Sequence, residues 1–204
     1  MQTHNPVDLF SPKGMVNDMN KRILAASLTV AALLLAAVIL CLLIKEPLKE
    51  RLYPHAYSEL VEKYAQENNV SSTLVYAVIY TESRFTPDAE SNIGARGLMQ
   101  LTQDTFDWVK YRLDDPDEVT FDDMYNPETN IRYGTYLLGY LYEEFGNVKN
   151  TLAAYHAGVN IVKKWLVDKE YSLNGTDLDT IPYRDTAHYV SKVEKAISIY
   201  SETD

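Results

Sequence analysis

The sequence predicts an all-α protein, one helical domain preceded by a single transmembrane helix. Three observations lead there. Residues 23–44 are uncharged and rich in Leu, Ala, Val and Ile. From residue 56 onward apolar side chains recur at three- and four-residue intervals, the period of a helix face. No stretch alternates with the period of two that a strand set requires, and the periodic stretches are separated by Asn, Gly and Pro, which cap and break helices.

The elements follow in order. Residues 1–22 read as a polar tail. As a helix, residues 23–44 would be about 33 Å long, enough to cross the apolar core of a bilayer. The run ends in Leu40-Cys41-Leu42-Leu43-Ile44 without a small-residue cleavage site, so a retained anchor is expected rather than a signal peptide. Residues 45–55 read as a charged connector containing Pro47 and Pro54, and residues 56–204 as the folded domain.

Within that domain Tyr57, Leu60, Val61, Tyr64 and Ala65 mark a first helix, which Asn68-Asn69 ends. Ser71 or Ser72 caps a second, apolar helix running to about Glu82. Residues 86–97 read as an irregular loop with Pro87, Gly94 and Gly97. A third helix spans Thr102 to about Tyr111, and the acidic stretch Asp114–Asp123 is expected to be a solvated loop. Asn126-Pro127-Glu128 is a helix start: a cap, a proline in the first turn, then an acid at the positive dipole end. Ile131, Leu138, Leu141 and Phe145 are its buried stripe, and Gly146 its stop. Asn147 caps the next helix, Gly158 separates it from one over 159–168, and residues 171–182 form a polar loop. A last helix runs from about Tyr183 to Tyr200 and carries Tyr189, Val190, Val193 and Ile197.

Composition excludes several function classes. The net charge is −10 at pH 7. Of the basic residues only Lys13, Lys21 and Arg22 precede the apolar run, and three more follow it closely, so the positive-inside rule scores a tie. The domain is strongly acidic and has no basic run, which argues against nucleic acid as a partner. The only cysteine, Cys41, lies in the apolar run, so the domain has no disulfide. His4, His55, His156 and His188 show no metal-ligand spacing, the acidic stretch lacks the glycine of a calcium loop, and no cofactor is expected. Sixteen tyrosines offer flat apolar faces with polar tips, suited to sugar rings or to ordinary helix packing.

The strongest chemical signal is Glu82 in Glu82-Ser83-Arg84-Phe85, at the end of the apolar helix. A carboxyl in apolar surroundings resists ionisation and suits a general acid. It is followed in order by Gly94-Ala95-Arg96-Gly97-Leu98-Met99-Gln100, by Asn130-Ile131 with Gly134, by Ala154-Tyr155-His156-Ala157-Gly158 with Val162 and Trp165, and by Ile181-Pro182-Tyr183-Arg184-Asp185-Thr186 with Tyr189-Val190. Over residues 56–200 this set resembles the catalytic domain of soluble-lytic-transglycosylase-type enzymes, whose fold is goose-lysozyme-like.

The resemblance implies a non-hydrolytic cut of the β-1,4 bond between N-acetylmuramic acid and N-acetylglucosamine. Glu82 would act as acid and then as base, taking the proton from the sugar's own C6 hydroxyl to close a 1,6-anhydro ring, with no second carboxylate needed. It also implies substrate contacts for Ser91, near the N-acetyl group, for Gln100 and Thr105, lining the cleft, and for Tyr155, beside the catalytic carboxyl. Tyr183 and Asp185 fall in the last motif. This chain departs from the family pattern at Asp185, where Glu is usual, at His156, where Asn is usual, and at Thr102-Gln103, where Met-Pro is frequent. Since an imidazole charges below about pH 6.5, His156 is expected to add an acidic transition.

The partners so implied are peptidoglycan glycan strands, the membrane through residues 23–44, and a protein of an envelope machine. The implied location is the bacterial cell membrane, single-pass, with the domain on the wall-facing side. Two other readings stay open: a hydrolytic muramidase on the same fold, with Asp88, Glu90 or Asp104 as base, and a non-catalytic glycan-binding scaffold.

Overall fold

A computed structural model describes residues 12–115 and 118–202. The chain divides into two units, Met1–Pro54 and His55–Asp204.

The first unit is one helix, α1 (Pro12–Leu52). It runs beyond residues 23–44 on both sides, so residues 12–22 are helical rather than a loose tail, and most of the expected connector is helical too. Asp18 and Arg22 pair across one turn at 3.0 Å, the i,i+4 spacing that favours a helix. Pro47 lies inside the helix. Residues 15–44 are long and apolar enough to cross a bilayer, and their Leu, Val and Ile side chains are exposed. The expected tail residues 1–11 lie outside the described residues.

The second unit is all-α, and among the described residues it has no strand beyond isolated bridges of Arg96 with Glu90 and Leu101. Its helices are α2 (Ser58–Glu67), α3 (Ser72–Ser83), α4 (Gln103–Leu113), α5 (Pro127–Phe145), α6 (Val148–Ala157), α7 (Val159–Val167) and α8 (Arg184–Tyr200). The expected caps are in place. Ser71 accepts from Leu74 N–H, Asn126 from Glu128 and Thr129 N–H, and Asn147 from Asn150 N–H.

Helix α5 packs against α2, α4 and α6, while α3 packs against α8. Val75, Val78 and Ile79 of α3, Ile131 and Leu138 of α5, Leu152 of α6 and Val193 of α8 are fully buried. Tyr76 of α3 stacks on Tyr200 of α8 at 5.5 Å, with His55 edge-on to both rings. Gly139 lets α5 approach the end of α2, since a Cβ there would lie 2.6 Å from Asn68 O.

The acidic stretch is not a simple solvated loop. Its end, Phe121–Tyr125, forms a 3₁₀ helix that buries Met124 completely. The Asp115 side chain, 6% exposed, pairs with the Arg132 guanidinium and accepts from Tyr133 Oη at 2.7 Å. A carboxylate this buried needs such partners, and α5 supplies them. Pro116 and Asp117 lie outside the described residues.

Candidate active site

Glu82 is the next-to-last residue of α3, and the chain turns sharply after it. Arg84 and Phe85 both take the left-handed conformation, with φ of 54° and 62°, which is uncommon for residues with a Cβ. Arg84 N–H caps the helix on Tyr80 O, and its guanidinium lies 3.8 Å from the Tyr80 ring centre. Ser83 Oγ donates to Leu98 O at 2.8 Å, tying the end of α3 to the following loop.

The loop over residues 86–101 is built mainly from its own backbone. Gly97 N–H donates to Ala89 O, and Arg96 and Leu101 exchange both backbone hydrogen bonds. Asn130 of α5, fully buried, accepts from Met99 N–H at 2.8 Å and donates to Arg96 O and Met124 O. Gly97 has φ of 76°, and a Cβ there would collide with Met124 O and the Asn130 amide. Gly134 is needed under Met99, whose sulfur would meet a Cβ. These contacts explain in physical terms why the Gly-Leu-Met-Gln segment and Asn130 occur together.

Burial raises the Glu82 carboxyl pKa to about 7, against the opposing pull of the Tyr189 hydroxyl. Among the described residues no carboxylate figures among the influences on it. Tyr155 and Tyr189 are both held well above the usual phenol range, by burial first and by proximity to Glu82 second. Tyr155 Oη donates to Met99 O at 2.7 Å. Tyr189 Oη is buried and closes no hydrogen bond of good geometry among the described residues, although it faces Glu82 closely enough to act on its ionisation. Catalytic hydrogen bonds are often this loose until a ligand arrives.

The other expected site residues fall into two groups. His156, Tyr183 and Asp185 line one open recess of about 610 Å³, together with Pro182 and Thr186. His156 Nδ1 lies 3.1 Å from Thr186 Oγ1, and its ring packs on Tyr189 with centres 4.7 Å apart. Partial burial lowers the His156 pKa, and Asp185 draws it partly back. Its transition therefore moves below the ordinary imidazole value. Tyr183 is exposed and stands edge-on to Trp165 at 5.0 Å.

Ser91, Gln100 and Thr105 are already engaged. Ser91 Oγ accepts from Ala95 N–H, which closes a turn but leaves its own proton available. Gln100, with φ of 50°, donates through Nε2 to Ala89 O and Gly97 O, and among the described residues its Oε1 takes no hydrogen bond. Thr105 shares its hydroxyl with Thr102, the cap of α4, at 3.0 Å.

Of the three carboxylates considered as a second base, Asp88 and Asp104 are exposed. Glu90 accepts from Tyr125 Oη at 2.7 Å and lies 3.9 Å from Arg96 Nε.

Tyr189 belongs to the last sequence motif but is not among the expected substrate contacts, because its place beside Val190 and Val193 on α8 suits the core as well as the site. The available signal was its hydroxyl, since a tyrosine among Val190 and Val193 needs a polar partner.

Comparison with known proteins agrees with this geometry. The family model described as "Transglycosylase SLT domain" matches residues 59–175, more than half of the chain. The "Soluble lytic murein transglycosylase" of Salmonella typhimurium is 34% identical over 148 residues, 72% of this chain and 23% of that protein. The "Membrane-bound lytic murein transglycosylase F" of Desulfosudis oleivorans is 32% identical over 114 residues, 52% of this chain and 23% of that one. The structure of an inactive mutant of the lytic transglycosylase Slt from Pseudomonas aeruginosa, with a Glu replaced by Gln, superposes with a TM-score of 0.66 at 30% identity. It covers 74% of this chain and 25% of that one. The chain thus spans about a quarter of the length of these relatives. With the all-α fold, the ordered motifs and the partly buried Glu82 all in agreement, the chain belongs to the transglycosylase SLT domain family.

Proposed function

We propose that the protein is a membrane-anchored lytic transglycosylase that cuts peptidoglycan glycan strands between N-acetylmuramic acid and N-acetylglucosamine and leaves 1,6-anhydro ends. The observation that carries the reading is a single carboxyl, Glu82, raised by burial to a pKa of about 7. Near neutral pH it exists in both protonation states, as an acid that must then serve as a base requires.

In the first step Glu82 gives its proton to the bridging oxygen as the glycosidic bond breaks. The substrate's own N-acetyl group stabilises the positive charge left on the muramic sugar, one of the routes that needs no second carboxylate. In the second step the C6 hydroxyl closes on the anomeric carbon and Glu82 takes back a proton. Tyr189 is assigned as the donor that steadies the carboxylate form, and Tyr155 as a positioning residue holding Met99. His156, Tyr183 and Asp185 are assigned to one sugar-binding wall, and Ser91, Gln100 and Thr105 to substrate contacts through the hydrogen-bonding capacity their internal bonds leave over.

The names of the relatives, and the inactive Glu-to-Gln variant among them, support this reading. Residues 15–44 of α1 support the anchor, and a domain that cuts the wall must face it, which favours the single-pass orientation with residues 55–204 outside.

The test is mass spectrometry of the soluble products from purified peptidoglycan treated with the full chain in detergent, beside Glu82→Gln. Anhydro-muropeptides from the parent and none from the variant are expected. Reducing-end products would replace the transglycosylase by a hydrolase, and no product from either would leave a binding scaffold.

A further inference from the structure

A second recess, of about 490 Å³, shares no lining residue with the recess beside His156. The α2–α3 turn, the C-terminal half of α4 and the exposed side of α5 enclose it. Arg112 is one of its lining residues. The guanidinium lies 5.5 Å from the Trp108 ring and 5.2 Å from the Tyr140 ring, and Nε donates to Tyr136 Oη at 3.3 Å. Trp108 and Tyr140 meet edge to face at 4.8 Å. Among the described residues no ion pair engages Arg112; its exposed guanidinium is flanked by rings and a phenol, with Glu143 near enough to favour its charge. Glu67 and Glu143 lie at the rim and Asn68 and Asn69 at the α2–α3 turn, and these add hydrogen-bonding groups.

From this arrangement we infer that the recess is a second glycan-binding site, separate from the Glu82 cleft, which takes an amino-sugar strand bearing carboxylate substituents. Aromatic rings with planar polar side chains around a concavity suit a saccharide, which has an apolar face and a hydroxylated rim. The guanidinium, whose outer N–H groups are not used by Tyr136, suits a sugar-borne carboxylate. The flanking glutamates disfavour a densely anionic ligand and accept hydrogen bonds from hydroxyl and amide groups. A second site on the same polymer raises local concentration, so two weak contacts hold a long strand far better than either alone. The choice of wall glycan as the ligand rests on the proposed function.

The two tryptophans provide separate probes. Trp108 adjoins this recess, while Trp165 touches Tyr183 in the other. The full ¹⁵N-labelled chain in detergent micelles, in the Glu82→Gln background to prevent cutting, is titrated with a peptide-free tetrasaccharide of alternating N-acetylglucosamine and N-acetylmuramic acid. Both indole N–H signals are expected to shift, with different saturation curves. Arg112→Ala, at an exposed position, should weaken the Trp108 response about tenfold and leave that of Trp165 in place. A neutral N-acetylglucosamine tetramer should bind at Trp108 about tenfold more weakly than the carboxylated strand. An unmoved Trp108 signal, or one insensitive to Arg112→Ala, overturns the proposal. A Trp108 response to stem peptide alone overturns the saccharide assignment. Failure to find anhydro products would sink the catalytic reading and leave these binding outcomes as decisive as before.

Discussion

The buried Tyr189 hydroxyl faces the Glu82 carboxyl and has no other partner among the described residues. Burial pushes Glu82 towards its neutral form, and Tyr189 pulls it towards the carboxylate. The balance near pH 7 belongs to the pair. Tyr189→Phe should raise the Glu82 pKa and move the alkaline fall of kcat/KM to higher pH, while lowering kcat by on the order of tenfold or more through loss of a donor to the developing carboxylate. Stability should not fall, because the hydroxyl removed is poorly satisfied. The pH–rate profile and a melting curve check both.

The sign of the Glu82 shift also sets a stability prediction. The folded state holds the proton more tightly than the unfolded chain, whose value is near 4.5. Ionisation therefore costs nothing below that value, costs progressively more as pH rises to about 7, and is fully felt above it. Glu82→Gln should stabilise the protein at pH 8 by on the order of 2–3 kcal/mol and change little at pH 4. Urea melts at the two pH values test this, and a variant stabilised equally at both would contradict the burial argument.

Asn130 satisfies three backbone groups from two segments. Asn130→Ala should cost about 2–4 kcal/mol, because Met99 N–H and the Arg96 and Met124 carbonyls lose a partner in the interior. Chemical denaturation measures the loss, and an effect below about 1 kcal/mol would mean that water takes over.

Two glycines with nearly the same backbone angle should behave differently. Gly97 and Gly146 have φ of 76° and 69°, but only Gly97 is hemmed in by backbone. Gly146→Ala should cost about 1 kcal/mol, the strain of a left-handed residue alone. Gly97→Ala should cost clearly more and reduce glycan cleavage as well, since the loop beside Glu82 must shift. Paired melting and turnover measurements separate the two.

Most of the helical plan was legible because its signals are local. Ser71, Asn126 and Asn147 cap where the sequence says they should, and Gly146 and Gly158 stop what they should stop. The extent of α1 beyond residues 23–44 is not legible, because polar flanks of an apolar run read equally well as tail and connector or as further helical turns. The acidic stretch was misread for a different reason. The pairing of Asp115 with Arg132 and Tyr133 joins residues about one and a half dozen positions apart, and no charge count reveals which carboxylate is buried. The apolar helix before Glu82 foreshadows the burial that raises its carboxyl, whereas Tyr189, although part of the last motif, comes from the far end of the domain, and only the fold shows its hydroxyl acting on that carboxyl.

Met99 has a further consequence. Its N–H is held by Asn130 from α5, its carbonyl by Tyr155 from α6, and its side chain fills the gap over Gly134. One residue, through the two peptide units that flank it, thus bolts two helices to the loop that faces Glu82. No small hinge motion of that loop can release this amide without breaking into the core. In deuterated solvent it should be among the last protons to exchange, doing so only when the whole domain unfolds, while the amides of the neighbouring turn at Asn92 and Ile93 exchange early. A rigid point inside an otherwise irregular segment lets a loop position a substrate with the constancy of a helix.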